Sequence, residues 1–283
     1  MDFRRLHLIC ILPLYVFAIK NKGRIVGGDA VKLGEYPFVV ALAYVDSHTG
    51  NGELCTGSII TPEWILTAGH CVESQDVSRY IVFAGVTNIR KLGQKRGIRT
   101  IVRPSNYKHD HGEELNESIQ NDISLVQVNY PFLMNNFVKM ISLVGHSPPY
   151  WGYTCEAIGF GRTSVPVEFM EALSHLDSSN LAAQAGQLLQ IDNAPPVPCS
   201  WIPDASGHEP YHLCSWAGRL NVSHVSSGDS GGPLVCDGVQ VGVCSLSDFV
   251  KKDGIYYVLQ THTSVDYFKD WIKLFVPNAV ISY

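Results

Sequence analysis

Short runs rich in Val, Ile, Leu, Tyr and Phe, each broken by Gly, Pro, Asn or Asp, recur beyond Ile25 and restrict the fold more than any other feature. They are Pro37 to Tyr44, Ser58 to Thr67, Tyr80 to Ala84, Ile123 to Val128, Gln187 to Ile191, Pro233 to Val235, Val239 to Leu246 and Gly254 to Gln260. Branched and aromatic residues favour strands, and the turn residues between them end each run. Many short strands with almost no helical periodicity point to antiparallel barrels or sandwiches. Helical spacing is clear only from Val265 to Phe275, where apolar residues recur every three or four positions. Ser264 is the expected N-cap and Pro277 the stop. Two polar stretches, Asp46 to Glu53 and His109 to Gln120, read as long surface loops. Thr163 to Gly186 carries mixed signals that support no assignment.

A chain of 283 residues can bury one large all-β unit. Its formal charge of -5 supplies no attraction to nucleic acid or to an anionic membrane. Basic residues collect between Arg90 and Arg103, a run that reads as a solvated surface loop. At the N-terminus, Arg4 and Arg5 precede an apolar stretch from Leu6 to Ile19, with small Ala18 near its end. That pattern predicts a signal peptide over residues 1–18. The stretch is short for a membrane span and is interrupted by His7 and Pro13. A buried N-terminal helix is the competing reading.

Eight cysteines fit an oxidising, extracellular destination. Cys10 would leave with the signal peptide, and an odd number remains: Cys55, Cys71, Cys155, Cys199, Cys214, Cys236 and Cys244. Spacing alone does not assign their bonds, and no CxxC pair marks a zinc site. Asn116-Glu-Ser118 and Asn221-Val-Ser223 are N-glycan acceptor triplets, of a kind that chance also produces.

Ser230 stands in Ser227-Gly-Asp-Ser-Gly-Gly-Pro-Leu-Val-Cys236. Glycines on both sides let the backbone reach dihedrals closed to other residues and approach a substrate carbonyl. The amides of Gly228 and Ser230 could then face a developing oxyanion, where one donor contributes roughly 3 kcal/mol. A serine needs a base to attack. His70, in Leu66-Thr-Ala-Gly-His-Cys71, follows a strand-like run, whereas His109 and His111 lie in a polar loop and read as solvent-exposed. Imidazole accepts and returns a proton near neutrality, although a lone histidine beside a cysteine is more often structural. Asp122, in Asn121-Asp-Ile-Ser-Leu-Val126, opens an apolar strand and could orient the imidazole. A cap or turn is the ordinary role of such an aspartate.

Taken together, RIVGG, TAGHC, NDISL and GDSGGPLVC occur in the order and approximate spacing of the chymotrypsin-like (S1) serine proteases, and the chain resembles that family from Arg24 to the C-terminal helix. The resemblance implies an all-β fold of two six-stranded antiparallel barrels with a C-terminal helix. It implies His70 as general base, Asp122 as orienting acid and Ser230 as nucleophile, with Gly228 and Ser230 as oxyanion donors. It implies a zymogen with a propeptide at 19–24 and a peptidase domain at 25–283, cut after Arg24 by a trypsin-like enzyme. The new Ile25 ammonium would then insert beside Asp229. A buried carboxylate left without its cation typically costs about 3–5 kcal/mol, which makes the pair a switch. The family's pattern pairs Cys55 with Cys71, Cys155 with Cys236 and Cys199 with Cys214. Cys244 is left as a buried thiol.

The sequence also departs from the family. The disulfide that most relatives anchor four residues before the serine is lost at both ends: Ser226 stands there and no cysteine follows Cys244. His224 replaces the aspartate that trypsin-like members carry six residues before the nucleophile. Ser245, Leu246 and Ser247 line the expected primary pocket, with Gly254 on the opposite wall. Apolar or aromatic side chains suit that slot, while His224 with Ser247 could instead favour acidic ones. Gly85 to Thr100 holds five basic residues and no acid, so no calcium site is expected there. Neither a cofactor nor a metal is implied. Expected partners are protein or peptide substrates, the activating protease and protein protease inhibitors, with no nucleic acid, no membrane and a monomeric state. The rival reading is a non-catalytic protease homologue that binds rather than cuts. An α/β-hydrolase would present its serine, acid and histidine in a different order.

Overall fold

Residues 28–45, 52–110, 118–146, 153–161, 188–193, 196–202, 209–219, 225–252 and 255–283 are described by the structure, a computed structural model. The expected signal peptide, propeptide, Arg24 and Ile25 lie outside them, as do Asn116, Asn221, His224 and Gly254. In chain order, the first half holds β1 (Asp29–Ala30), β2 (Val39–Val45), β3 (Gly52–Ile59), β4 (Trp64–Thr67), β5 (Tyr80–Ala84), β6 (Gln94–Val102), β7 (Lys108–Asp110), β8 (Ser118–Gln120) and β9 (Ser124–Val128). Six of these close an antiparallel barrel in the order β2-β3-β4-β9-β6-β5.

Alternation drives the closure. In β5, Tyr80, Val82 and Ala84 face the core while Ile81 stays exposed. The run Ser58 to Thr67 resolves into the end of β3, a turn at Thr61-Pro62-Glu63, and β4. The Thr61 hydroxyl accepts the Trp64 N–H at 3.1 Å and fixes that turn. The basic run from Arg90 to Arg103 is not a loop but contains β6. Its cationic side chains lie across aromatic faces, Lys95 over Phe83 and Arg96 over Phe132, while the backbone pairs with β5 and β9. Long charged side chains cover apolar surface in this way without burying their charge. Within the polar stretch from His109 to Gln120, β7 and β8 pair with each other.

The second half holds β10 (Ser142–Val144), β11 (Cys155–Gly159), β12 (Leu189–Asn193), β13 (Val197–Pro198), β14 (His212–Arg219), β15 (Pro233–Cys236), β16 (Val239–Lys252), β17 (Ile255–Ser264), helix α1 (Val265–Phe275) and β18 (Ile281–Ser282). Antiparallel strands β12-β11-β15-β16-β17-β14 form its centre, inside a ten-stranded sheet that also takes in β1, β10, β13 and β18. β10 pairs parallel with β16 and β18, so the sheet is not wholly antiparallel. β12 and β14 come into contact, without a hydrogen-bonded seam between them among the described residues. Helix α1 buries Val265, Phe268 and Ile272 against this half, and the Ser264 hydroxyl caps it by accepting the Tyr267 N–H. Disulfides join Cys55 to Cys71, Cys155 to Cys236 and Cys199 to Cys214, and Cys244 is a buried free thiol.

Candidate active site

His70 opens a single 3-10 turn, His70–Val72, immediately after β4. Gly69 lets the Tyr107 ring pack against this turn, because a Cβ there would meet it. Asp122 lies across from it, at the entry to β9. Asn121 precedes Asp122 in the left-handed region (φ 54°), a conformation that asparagine tolerates better than most residues. The Asn121 N–H donates to the Tyr211 hydroxyl and its amide to the Asn106 carbonyl, which fixes the approach to Asp122.

Both oxygens of Asp122 hold His70. Oδ2 lies 2.8 Å from Nδ1 of the ring, and Oδ1 accepts the His70 backbone N–H at 2.9 Å. The Ser245 hydroxyl adds a third bond, 2.6 Å to Oδ2, and the Thr263 hydroxyl holds the Asp122 carbonyl. Burial alone would push this carboxyl upward. The charge of His70 and the donors from His70 and Ser245 overcome it and keep Asp122 below its ordinary value.

Ser230 sits between two glycines that turn the chain the wrong way for an L side chain, Gly228 at φ 99° and Gly231 at φ 79°. A Cβ on Gly231 would run into the Thr67 hydroxyl and the Thr56 carbonyl, so the first barrel abuts the loop here. The Ser230 carbonyl accepts the Thr56 N–H at 2.8 Å and lies 3.5 Å from Sγ of Cys71, the residue next to His70. The serine therefore lies against the turn that carries the histidine. Asp229, between Gly228 and Ser230, points the other way and is 1% exposed. Gly161 N–H and Ser226 N–H donate to its two oxygens, each at 2.8 Å. Burial raises its pKa to about 7, against the lowering effect of the Ser226 and Gly161 hydrogen bonds.

Of the expected pocket residues, Ser245 and Ser247 lie on β16, and the Ser245 hydroxyl is committed to Asp122 rather than free to line a slot. Ser247 pairs in register with Gln260, which pairs on its other side with Ser215. Gln260 is fully buried, and neither its amide nitrogen nor its amide oxygen has a hydrogen-bond partner among the described residues. His262 follows on the same face, with Nδ1 likewise unpartnered and Nε2 3.4 Å from the Ser215 hydroxyl. Burial lowers its pKa to about 4. Sequence reasoning missed both residues, since a strand pattern does not distinguish a buried polar side chain from an exposed one. Cys244, in register with His262, has its thiol pushed far up by burial.

His109 is not the exposed loop residue its setting implied. Its side chain is 8% exposed, and Nδ1 lies 2.8 Å from Glu73 Oε1, which also accepts the Tyr107 hydroxyl. Its ring stands edge-on to that of His70, centroids 6.4 Å apart. Among the described residues the His/Cys/Asp/Glu cluster with ligand atoms in range of one ion is Cys55, His70 and Cys71. Both sulfurs are joined in a disulfide and offer no thiolate.

The model of the trypsin family matches residues 25–272. The chain is 29% identical to the thrombin-like enzyme flavoxobin of Protobothrops flavoviridis, over 93% of this chain and 91% of that protein. A protein C activator of Agkistrodon piscivorus leucostoma and the venom plasminogen activator LV-PA of Lachesis muta muta are each 27% identical, with the same coverage. A match over nearly the whole chain, on the barrel and the His70–Asp122 pair described above, identifies the protein as a member of the trypsin family of chymotrypsin-like serine proteases.

Proposed function

We propose that the protein is a secreted serine endopeptidase made as a zymogen, with His70, Asp122 and Ser230 as its triad. The observation that carries this reading is the two-point grip of one buried carboxylate on His70. With Nδ1 donating to Asp122, the basic atom is Nε2. It takes the proton of Ser230 as the serine oxygen bonds to the scissile carbonyl carbon. The oxyanion so formed is met by the N–H groups of Gly228 and Ser230. Collapse breaks the peptide bond, the imidazolium returns its proton to the leaving amine, and an acyl-serine remains. Water, deprotonated by the same nitrogen, then releases the acid and restores the serine.

Activation follows from Asp229. Its described partners are neutral N–H groups, and its pKa near 7 marks a site short of positive charge. Cleavage after Arg24 would supply the Ile25 ammonium. With His224 in place of an acid, cleavage follows uncharged side chains rather than Arg or Lys. Protein or peptide chains are the substrates, a trypsin-like protease is the activator, and protein inhibitors compete for the cleft. Relatives named as venom enzymes support an extracellular setting, reached through a signal peptide over 1–18, with glycans at Asn116 and Asn221.

The test is to cleave the precursor after Arg24 and treat it with a fluorophosphonate. Label should appear on Ser230 and be absent from Ser230→Ala and His70→Ala. No label on the cut parent protein would favour a non-catalytic homologue. Profiling on a mixed peptide library tests the pocket, and a strong preference for Arg or Lys before the cut would overturn that part.

A further inference from the structure

We infer that Thr56 is a positioning residue for the oxyanion hole, an inference that rests on the function proposed above. Thr56 belongs to the first barrel and is fully buried, yet it reaches the serine loop with two polar groups, its hydroxyl and its N–H. Its hydroxyl donates to the Gly228 carbonyl at 2.8 Å and accepts the Phe160 N–H at 2.9 Å. Its own N–H donates to the Ser230 carbonyl at 2.8 Å. Its carbonyl accepts the Thr67 hydroxyl, also at 2.8 Å.

These bonds clamp the peptides on either side of the oxyanion donors. The peptide from Gly228 to Asp229 is held at its carbonyl by Thr56 and at its N–H by the Ser226 carbonyl, 2.9 Å away. The peptide after Ser230 is held at its carbonyl by Thr56 and at its N–H by the Cys244 carbonyl, 2.8 Å away. The peptide left between them carries the Ser230 N–H, and the Gly228 N–H adjoins the first clamp. Gly228, at φ 99°, has no side chain to limit its rotation, so its orientation depends on an outside anchor. The Thr56 hydroxyl is such an anchor, and a methyl group in its place would leave the Gly228 carbonyl and the Phe160 N–H unpaired. An oxyanion donor acts through fixed direction, and misplacement by an ångström is enough to lose most of its effect.

The experiment compares Thr56→Val, which keeps shape and removes the hydroxyl, with Thr56→Ser, which keeps the hydroxyl. Both are cut after Arg24 and assayed on a peptide amide. Thr56→Val should lose kcat by about tenfold or more with KM changed less than about threefold, because the ground-state carbonyl needs the hole less than the oxyanion does. A peptide boronate should bind it more weakly by the same factor as kcat/KM falls. Thr56→Ser should stay within about threefold of the parent on each measure. Thr56→Ala supplies the comparison if the valine variant does not fold. A Thr56→Val protein that melts lower but keeps its kcat overturns the inference, as does a serine variant that falls as far as the valine one. A parent protein that neither labels nor cleaves sinks the proposed function along with it, whereas an active parent with an unimpaired valine variant sinks the inference alone.

Discussion

Ser245 donates its hydroxyl to Oδ2 of Asp122 at 2.6 Å, the same oxygen that holds Nδ1 of His70. The strand that borders the expected substrate slot thus also supports the acid, and the barrel and the second sheet meet through one carboxylate. A hydrogen bond to a charged group contributes about 1.5–3 kcal/mol.

Substitutions at the two residues should therefore separate charge from support. Asp122→Asn removes the charge and presents an amide NH₂ or oxygen in the wrong arrangement for the imidazole, so kcat should fall roughly 10⁴-fold. Ser245→Ala keeps the charge and removes one donor, so kcat should fall about tenfold. Steady-state rates normalised to titrated Ser230 distinguish them. A Ser245→Ala enzyme as fast as the parent would show the hydroxyl to be dispensable.

Asp229 gives the proposed uncut precursor a pH dependence of its own. Its folded pKa of about 7 lies above the ordinary 3.8, so the unfolded chain releases this proton first as pH rises. The stability it contributes is complete below pH 3.8 and is lost as pH rises towards 7. Each unit of that displacement is about 1.4 kcal/mol. Asp229→Asn should remove this downward contribution to denaturant melts of the precursor between about pH 4 and 7.

His262 acts in the opposite sense. Held neutral by burial, with a folded pKa of about 4 against 6.5, it contributes stability that is present above pH 6.5 and lost as pH falls towards 4. The two slopes offset each other over most of the same window. Each single substitution should unmask the other. His262→Gln should leave a precursor whose stability falls with rising pH, and Asp229→Asn one whose stability rises. Parallel pH profiles for the two variants would contradict the assignment.

The Cys55–Cys71 disulfide ties β3 to the turn that carries His70, across a sequence separation of 16. Replacing both cysteines by alanine should lower stability by about 3 kcal/mol on loop-closure grounds. Activity should fall further than stability alone accounts for, since Cys71 also touches the Ser230 carbonyl. Activity measured well below the melting temperature checks this, and full activity there would sever the link between the bond and the site.

Much was legible without coordinates. β5 matches its run residue for residue, and helix α1 with its Ser264 cap follows from apolar spacing and one hydroxyl. Strands with few β-branched residues, or with a run of charges, escaped notice. β3 begins Gly-Glu-Leu-Cys-Thr-Gly, β11 is Cys-Glu-Ala-Ile-Gly, and β6 carries Lys95, Arg96 and Arg99. Such segments become strands because neighbouring edges demand their backbone hydrogen bonds, a condition that intrinsic preference does not record. The same holds for His109, whose polar neighbours concealed a part-buried pairing with Glu73.

By itself the sequence determined which residues could carry chemistry, because the proposed nucleophile, base and acid each sit in short motifs whose glycines, strands and turns are local. The tertiary structure decided what surrounds them. Ser245 serves Asp122, Thr56 holds the carbonyls of Gly228 and Ser230 on either side of Asp229, and Gln260 and His262 lie buried opposite Ser247 and Cys244. These partners are 172 residues apart in one case and 123 in another, and only the packing of the barrel against the second sheet brings them within hydrogen-bonding distance.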